Sequence, residues 1–129
     1  MLFIVVAAVL VASTAYALLA AEDEAPYGDV SVEQAWGLIQ SKPDLVVLDV
    51  RTVAEYDEGH ISGALNIPVQ ELEERLGELD SSVEYLVYCR TGNRSSVAVQ
   101  VLMAGGFDRV YHMNNGITAW VGAGYPVVG

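Results

Sequence analysis

At 129 residues with 53% hydrophobic content, the chain can bury one core and is read as carrying a single folded domain. Seventeen acids against six Lys and Arg leave a net charge of −11, which argues against a nucleic-acid-binding surface. One cysteine excludes an intramolecular disulfide or dithiol relay, and with two distant histidines it supplies no metal-ligand cluster of known spacing.

Residues 1–21 are apolar apart from Ser13, Thr14 and the Tyr16 hydroxyl. That length suffices to cross a bilayer as a helix, which takes about 20 residues. Ala15-Tyr16-Ala17 offers the small-x-small pattern of a signal-peptide cleavage site. The absence of Lys or Arg before the run speaks instead for a retained anchor, and with no basic flank the orientation stays open. Either way an extracytoplasmic domain is expected, released or held at the membrane through residues 1–21. Residues 22–30, acidic and carrying Pro26 and Gly28, read as a linker, so the domain is placed at 31–129.

Ser31 and Gln34 have capping-box spacing, followed by an apolar helical face of Val32, Ala35, Trp36 and Ile39. Lys42-Pro43-Asp44 closes that helix. Leu45–Val50 is a nearly continuous apolar strand, the pattern of a parallel strand covered on both faces. Thr52 and Glu55 repeat the capping-box spacing and predict a short second helix. Asp49 and Arg51 flank the strand's end; an ion pair bracing the loop is favoured over substrate contact. His60 reads as a hydrogen-bonded brace, because no acid at recognisable spacing makes it part of a triad. Leu65–Ile67 is a short strand stopped by Pro68, and Val69–Leu76 an acidic amphipathic helix with Val69, Leu72 and Leu76 inward.

Tyr85–Tyr88 then has the content of a buried strand and ends on Cys89. Helical spacing resumes at Arg94 with Val97, Val101 and Leu102, so a tight loop joins strand to helix. Backbone N–H groups of such a loop and a helix N-terminus cradle anions, and the same field favours a thiolate. Gly92 is the residue suited to a left-handed turn in that cradle, and Arg90 and Arg94 add positive charge; Arg94 is expected to matter more for a bound anion, with Arg90 reaching only the solvent-screened rim. Charge is divided accordingly: residues 22–88 carry −13, and residues 89–129 carry +2. Gly105-Gly106 ends the helix, Arg109–Met113 is the last strand, and Asn114-Asn115-Gly116 turns into a helix carrying Trp120. Together these elements predict an α/β sandwich around a parallel sheet.

Cys89-Arg-Thr-Gly-Asn-Arg-Ser95 resembles the active-site loop of single-domain rhodaneses, the sulfurtransferases. Val47–Tyr56, Gly59–Pro68 and Asn115–Trp120 are similar, in order, to three further signatures of that family, and the likeness spans roughly residues 28 to 127. Where many relatives carry a glycine pair, this chain has Asn114 and Asn115; asparagine tolerates left-handed turns, so little change is expected. The resemblance implies a rhodanese-like three-layer sandwich with a mainly parallel central sheet and helices on both faces. It further implies a Cys89 persulfide held by loop N–H groups, with Arg90, Thr91, Gly92, Asn93, Arg94 and Ser95 binding the substrate. Asp49, Arg51 and His60 would support that loop.

The donor would be a small sulfur anion such as thiosulfate, and the acceptor a thiol, cyanide or a protein. No cofactor, metal or nucleic acid is called for, and a monomer is expected. A persulfide carrier beside a redox partner, with little turnover of its own, is the alternative. Cysteine phosphatases need five residues between thiol and arginine; only four separate Cys89 from Arg94, so phosphatase chemistry is disfavoured.

Overall fold

A computed structural model describes residues 25–129; the apolar segment 1–21 and the first residues of the acidic stretch lie outside the described residues. Five parallel strands form one sheet: β1 (Gly28–Val30), β2 (Val46–Asp49), β3 (Leu65–Asn66), β4 (Tyr85–Tyr88) and β5 (Val110–Met113), in the spatial order β1-β5-β4-β2-β3. Parallel neighbours need crossovers, and the helices supply them: α1 (Val32–Ser41), α2 (Val53–Glu58), α3 (Val69–Leu72), α4 (Asn93–Ala104) and α5 (Gly116–Gly122).

Strand residues alternate between two cores. Val47, Leu86, Tyr88, Tyr111 and Met113 face α1 and α5, where Trp120, Ala35 and Leu38 complete one cluster. Leu48, Tyr85, Val87 and Val110 face α3 and α4, packing on Leu72, Ala98 and Leu102. This is the expected three-layer α/β sandwich. Trp36 packs against Trp120 and Tyr125, ring centroids 5.8 and 5.1 Å away, at the border of the first core.

Both capping boxes form. Ser31 Oγ accepts from Gln34 N while Gln34 Oε1 accepts from Ser31 N, and Thr52 and Glu55 repeat the exchange. Three expectations change. Residues 28–30 are not linker: Gly28, Asp29 and Val30 pair with Tyr111, His112 and Met113 as the edge strand. Residues 69–76 do not form one α-helix; α3 tightens after Leu72 into a 3₁₀ segment, Glu73–Glu78. Pro68 gives α3 no side-chain cap, and Gly77 weakens any α-helical continuation. Asparagine does not take the left-handed turn before α5 either: Asn115 has φ −83°, and Gly116 alone turns left-handed with φ 74°.

Chain connections leave β2 and β4 in opposite directions, toward β3 and β5 respectively. Open parallel sheets bind ligands in the crevice beyond the carboxyl ends of such strands. Here those ends are Asp49-Val50-Arg51 and Cys89.

Candidate active site

Cys89 sits at the carboxyl end of the central strand β4, 1% exposed. The loop from Cys89 to Gly92 folds around it. Gly92 has φ 111° and caps α4, and a Cβ there would collide with the Asn114 carbonyl. Gly116 is needed just as strictly, since its Cβ would overlap the Arg90–Thr91 peptide. The first turn of α5 holds the loop's outer side: Ile117 N–H donates to Cys89 O at 2.9 Å and Thr118 N–H to Arg90 O at 3.2 Å. With those carbonyls engaged, loop N–H groups turn inward, and Gly92 N–H donates to Cys89 Sγ at 3.1 Å.

Burial by itself pushes the Cys89 thiol up, because it penalises the charged form. The Ser95 hydroxyl and the backbone N–H groups of Ser95, Gly92 and Thr91 outweigh that effect and bring the thiol below its ordinary value. A thiolate favoured in a water-poor loop is a nucleophile.

Arg90 and Arg94 have different surroundings. Arg94 makes a two-pronged ion pair with Glu55 of α2, Nη1–Oε1 at 2.6 Å and Nη2–Oε2 at 3.0 Å. Its charge is thereby largely offset. Arg90 is exposed, has no ion pair among the described residues, and lines a cleft of about 500 Å³ with Arg51, Glu55, Ile117, Thr118, Val121 and Val127. Thr91 and Asn93 lie exposed on the loop, while Ser95 is fully buried beneath it.

The Arg94 guanidinium holds the Glu55 carboxyl at about 2, below its ordinary 4.5. A depressed acid stabilises the fold above its unfolded value and loses that contribution as pH falls toward the folded one. Solvent screens this partly exposed pair, so Glu55→Gln is expected to cost about 1 kcal/mol at neutral pH. Urea unfolding across pH should show wild type and variant converging as pH drops from about 4.5 toward 2, within the window set by the cited shift.

Behind the loop, Asp49 and Arg51 form a buried pair. Arg51 Nη2 donates to Asp49 Oδ2 at 2.7 Å and to Gly59 O at 2.7 Å, and Asp49 Oδ1 also accepts from Arg51 N. The Tyr88 hydroxyl, pushed far up by burial and by the Asp49 charge, stays protonated beside them. His60 stacks on Tyr56 with ring centroids 3.6 Å apart and places Nδ1 2.8 Å from Tyr56 O. Its backbone bridges Val128, pinning the tail that carries Val127 to the cleft wall.

One group in contact with the thiol's surroundings escaped the sequence reading. His112 on β5, 6% exposed, lies 2.6 Å from Ser95 Oγ through Nε2. Strand alternation places it on the same face as Val110, toward α4, which is the signal that could have found it. No group of acidic, His and Cys side chains that could hold a metal occurs among the described residues.

A buried thiol that accepts loop N–H groups at a parallel sheet's switch point is suited to covalent sulfur or anion chemistry. The family model for the rhodanese-like domain matches residues 31–123, and the chain belongs to that family. It is 36% identical over 94 residues to the thiosulfate sulfurtransferase GlpE of Coxiella burnetii, covering 73% of this chain and 87% of that one. YrkF of Bacillus subtilis, provisionally named a sulfur carrier protein, is 33% identical over 101 residues; the match takes in 78% of this chain but only 55% of YrkF. A crystal structure of a rhodanese-related protein from Thermoplasma volcanium superposes with a TM-score of 0.72 at 35% identity, covering 79% and 98% of the two chains. Sulfur transfer is therefore the chemistry of this domain in general terms.

Proposed function

We propose that the protein is a sulfurtransferase that takes the outer sulfur of thiosulfate, or a similar small anionic donor, onto Cys89. The observation that carries this reading is the buried thiol accepting the Gly92 N–H at the base of the loop. The Cys89 thiolate supplies the electron pair for a new S–S bond to the donor's outer sulfur. The donor's S–S bond breaks, sulfite departs with its electron pair, and a cysteine persulfide anion remains. A thiolate, cyanide or carrier-protein thiolate then attacks the terminal sulfur, and Cys89 leaves as thiolate, ready for another cycle.

The backbone N–H groups of Thr91, Gly92 and Ser95, which reach the Cys89 sulfur, stabilise the persulfide charge. With Arg94 occupied by Glu55, Arg90 is the loop cation left to meet the donor's oxygens at the cleft. An extracytoplasmic setting rests on the apolar residues 1–21 of the sequence alone.

Thiosulfate–cyanide kinetics combined with intact-mass measurement test the reading. Turnover, with a transient adduct of about +32 Da for one added sulfur, is expected. A stable adduct without turnover would replace the enzyme by a persulfide carrier, the reading that the likeness to YrkF favours.

A further inference from the structure

Cys89 is one end of a line of four hydrogen-bonded side chains. Its Sγ lies 3.2 Å from Ser95 Oγ, which lies 2.6 Å from His112 Nε2; His112 Nδ1 lies 3.0 Å from Asp29 Oδ1. The members come from the loop after β4, from α4, β5 and β1. Asp29 and His112 are register partners in a parallel pair, so both side chains project from one sheet face.

We propose that Ser95 and His112 form a proton relay for Cys89, in which His112 receives the thiol proton through the serine hydroxyl and Asp29 holds the resulting imidazolium. The inference deepens the sulfur-transfer reading and rests on it only for the task of the thiolate.

Counting protons along the line gives two self-consistent states. A carboxylate against Nδ1 keeps that nitrogen protonated in both. In the thiol state, S–H donates to Ser95 Oγ, Ser95 O–H donates to His112 Nε2, and Nδ1–H donates to Asp29. In the thiolate state, Ser95 O–H donates to sulfur, Nε2–H donates to Ser95 Oγ, and Nδ1–H still donates to Asp29. Two protons shift, one from S to O and one from O to N. None enters or leaves, and the net charge of the line is unchanged. The alternative acceptor for the serine proton, Gly92 O at 3.2 Å, already receives the Ser96 N–H.

Burial makes such a relay useful. Cys89 and Ser95 are 1% and 0% exposed, so bulk water has little access to the thiol proton. At the far end the Asp29 side chain is 68% exposed, which opens the line to solvent. The charged groups that reach it are Asp29 from β1, His112 from β5, Cys89 itself, and Arg94 from α4, which feels the Cys89 charge while paired with Glu55 of α2. His112 acts through Ser95 and touches neither sulfur nor donor, so it is a positioning residue.

The test measures the rate of Cys89 alkylation by iodoacetamide against pH, together with ¹⁵N chemical shifts of the His112 ring. Wild type should show two titrations bounding a plateau of ion-pair reactivity, and a doubly protonated ring at neutral pH. His112→Gln keeps a hydrogen-bonding side chain without a titrating nitrogen. It should lose the acid-side plateau and slow alkylation near neutrality about tenfold, because less of the thiol is ionised there. Ser95→Ala should do the same, with no further loss in the double variant, and Ser95→Thr should restore the profile.

In Cys89→Ser the His112 ring should become neutral, a readout that holds even if His112→Gln fails to fold. An unchanged pH profile in His112→Gln, or a neutral His112 ring in the wild type at neutral pH, would overturn the relay. Neither measurement involves a sulfur donor, so a protein that passes both yet fails to turn over thiosulfate refutes the proposed function and leaves the relay standing.

Discussion

Cys89→Ser is expected to fold like the wild type and to lose sulfur transfer entirely. Serine is close to cysteine in shape, and its hydroxyl can accept the Gly92 N–H and meet Ser95 as the sulfur does. Stability should therefore change by less than about 1 kcal/mol, the range of a near-isosteric swap. Chemistry is another matter. A serine hydroxyl is not ionised at neutral pH and forms no persulfide, and no second cysteine exists to take over. Thiosulfate–cyanide turnover should fall to the rate without protein, and the variant's mass should stay unmodified after exposure to thiosulfate. Residual turnover above that background would show that the thiol is not the nucleophile.

Asp49→Ala should damage the fold more than any other single change near the site. Asp49 is fully buried, and Arg51, with its side chain 7% exposed, depends on it for Nε, one Nη and the backbone N–H. Removing the carboxylate strands a guanidinium in the interior, for which losses of about 3–5 kcal/mol are typical. In a domain of this size the melting temperature should fall by at least about 12 °C. The double variant Asp49→Leu/Arg51→Met removes both charges and should recover most of the loss, since an apolar pair of similar volume often matches a buried ion pair. A single-variant loss below about 1 kcal/mol would mean that Arg51 finds water or another partner.

How much of this could be read in the sequence depended on how far apart the partners lie. Ser31 with Gln34 and Thr52 with Glu55 are three residues apart, so both helix starts were legible from local pattern. The strand–Cys–loop–helix stretch was legible for the same reason. β1 was not: of Gly28, Asp29 and Val30 only Val30 is buried, and the strand exists through pairing with β5 some eighty residues on. His112 was hidden similarly. Its partners Ser95 and Asp29 are 17 and 83 residues away, and a histidine between Tyr111 and Met113 gives no local sign of a role. Arg94 read as the donor's main contact and Arg90 as a rim residue, but Glu55, 39 residues before Arg94, pairs with Arg94 and leaves Arg90 as the available cation.

The shortness of the outer strands also bears on how the protein behaves at high concentration. β3 contributes two residues and runs straight into Ile67 and Pro68, and β1 contributes three, beginning at a glycine. A sheet edge recruits other chains through its row of unpaired backbone groups, and edges this brief offer almost no template for stacking copies strand to strand. The surplus of acids adds mutual repulsion between molecules at neutral pH. Hydrophobic strands β2 and β4, which would be the sticky ones, lie inside the sheet with a partner on each side. The topology that sets Cys89 at the centre thus also keeps the segments most prone to aggregate away from any neighbour.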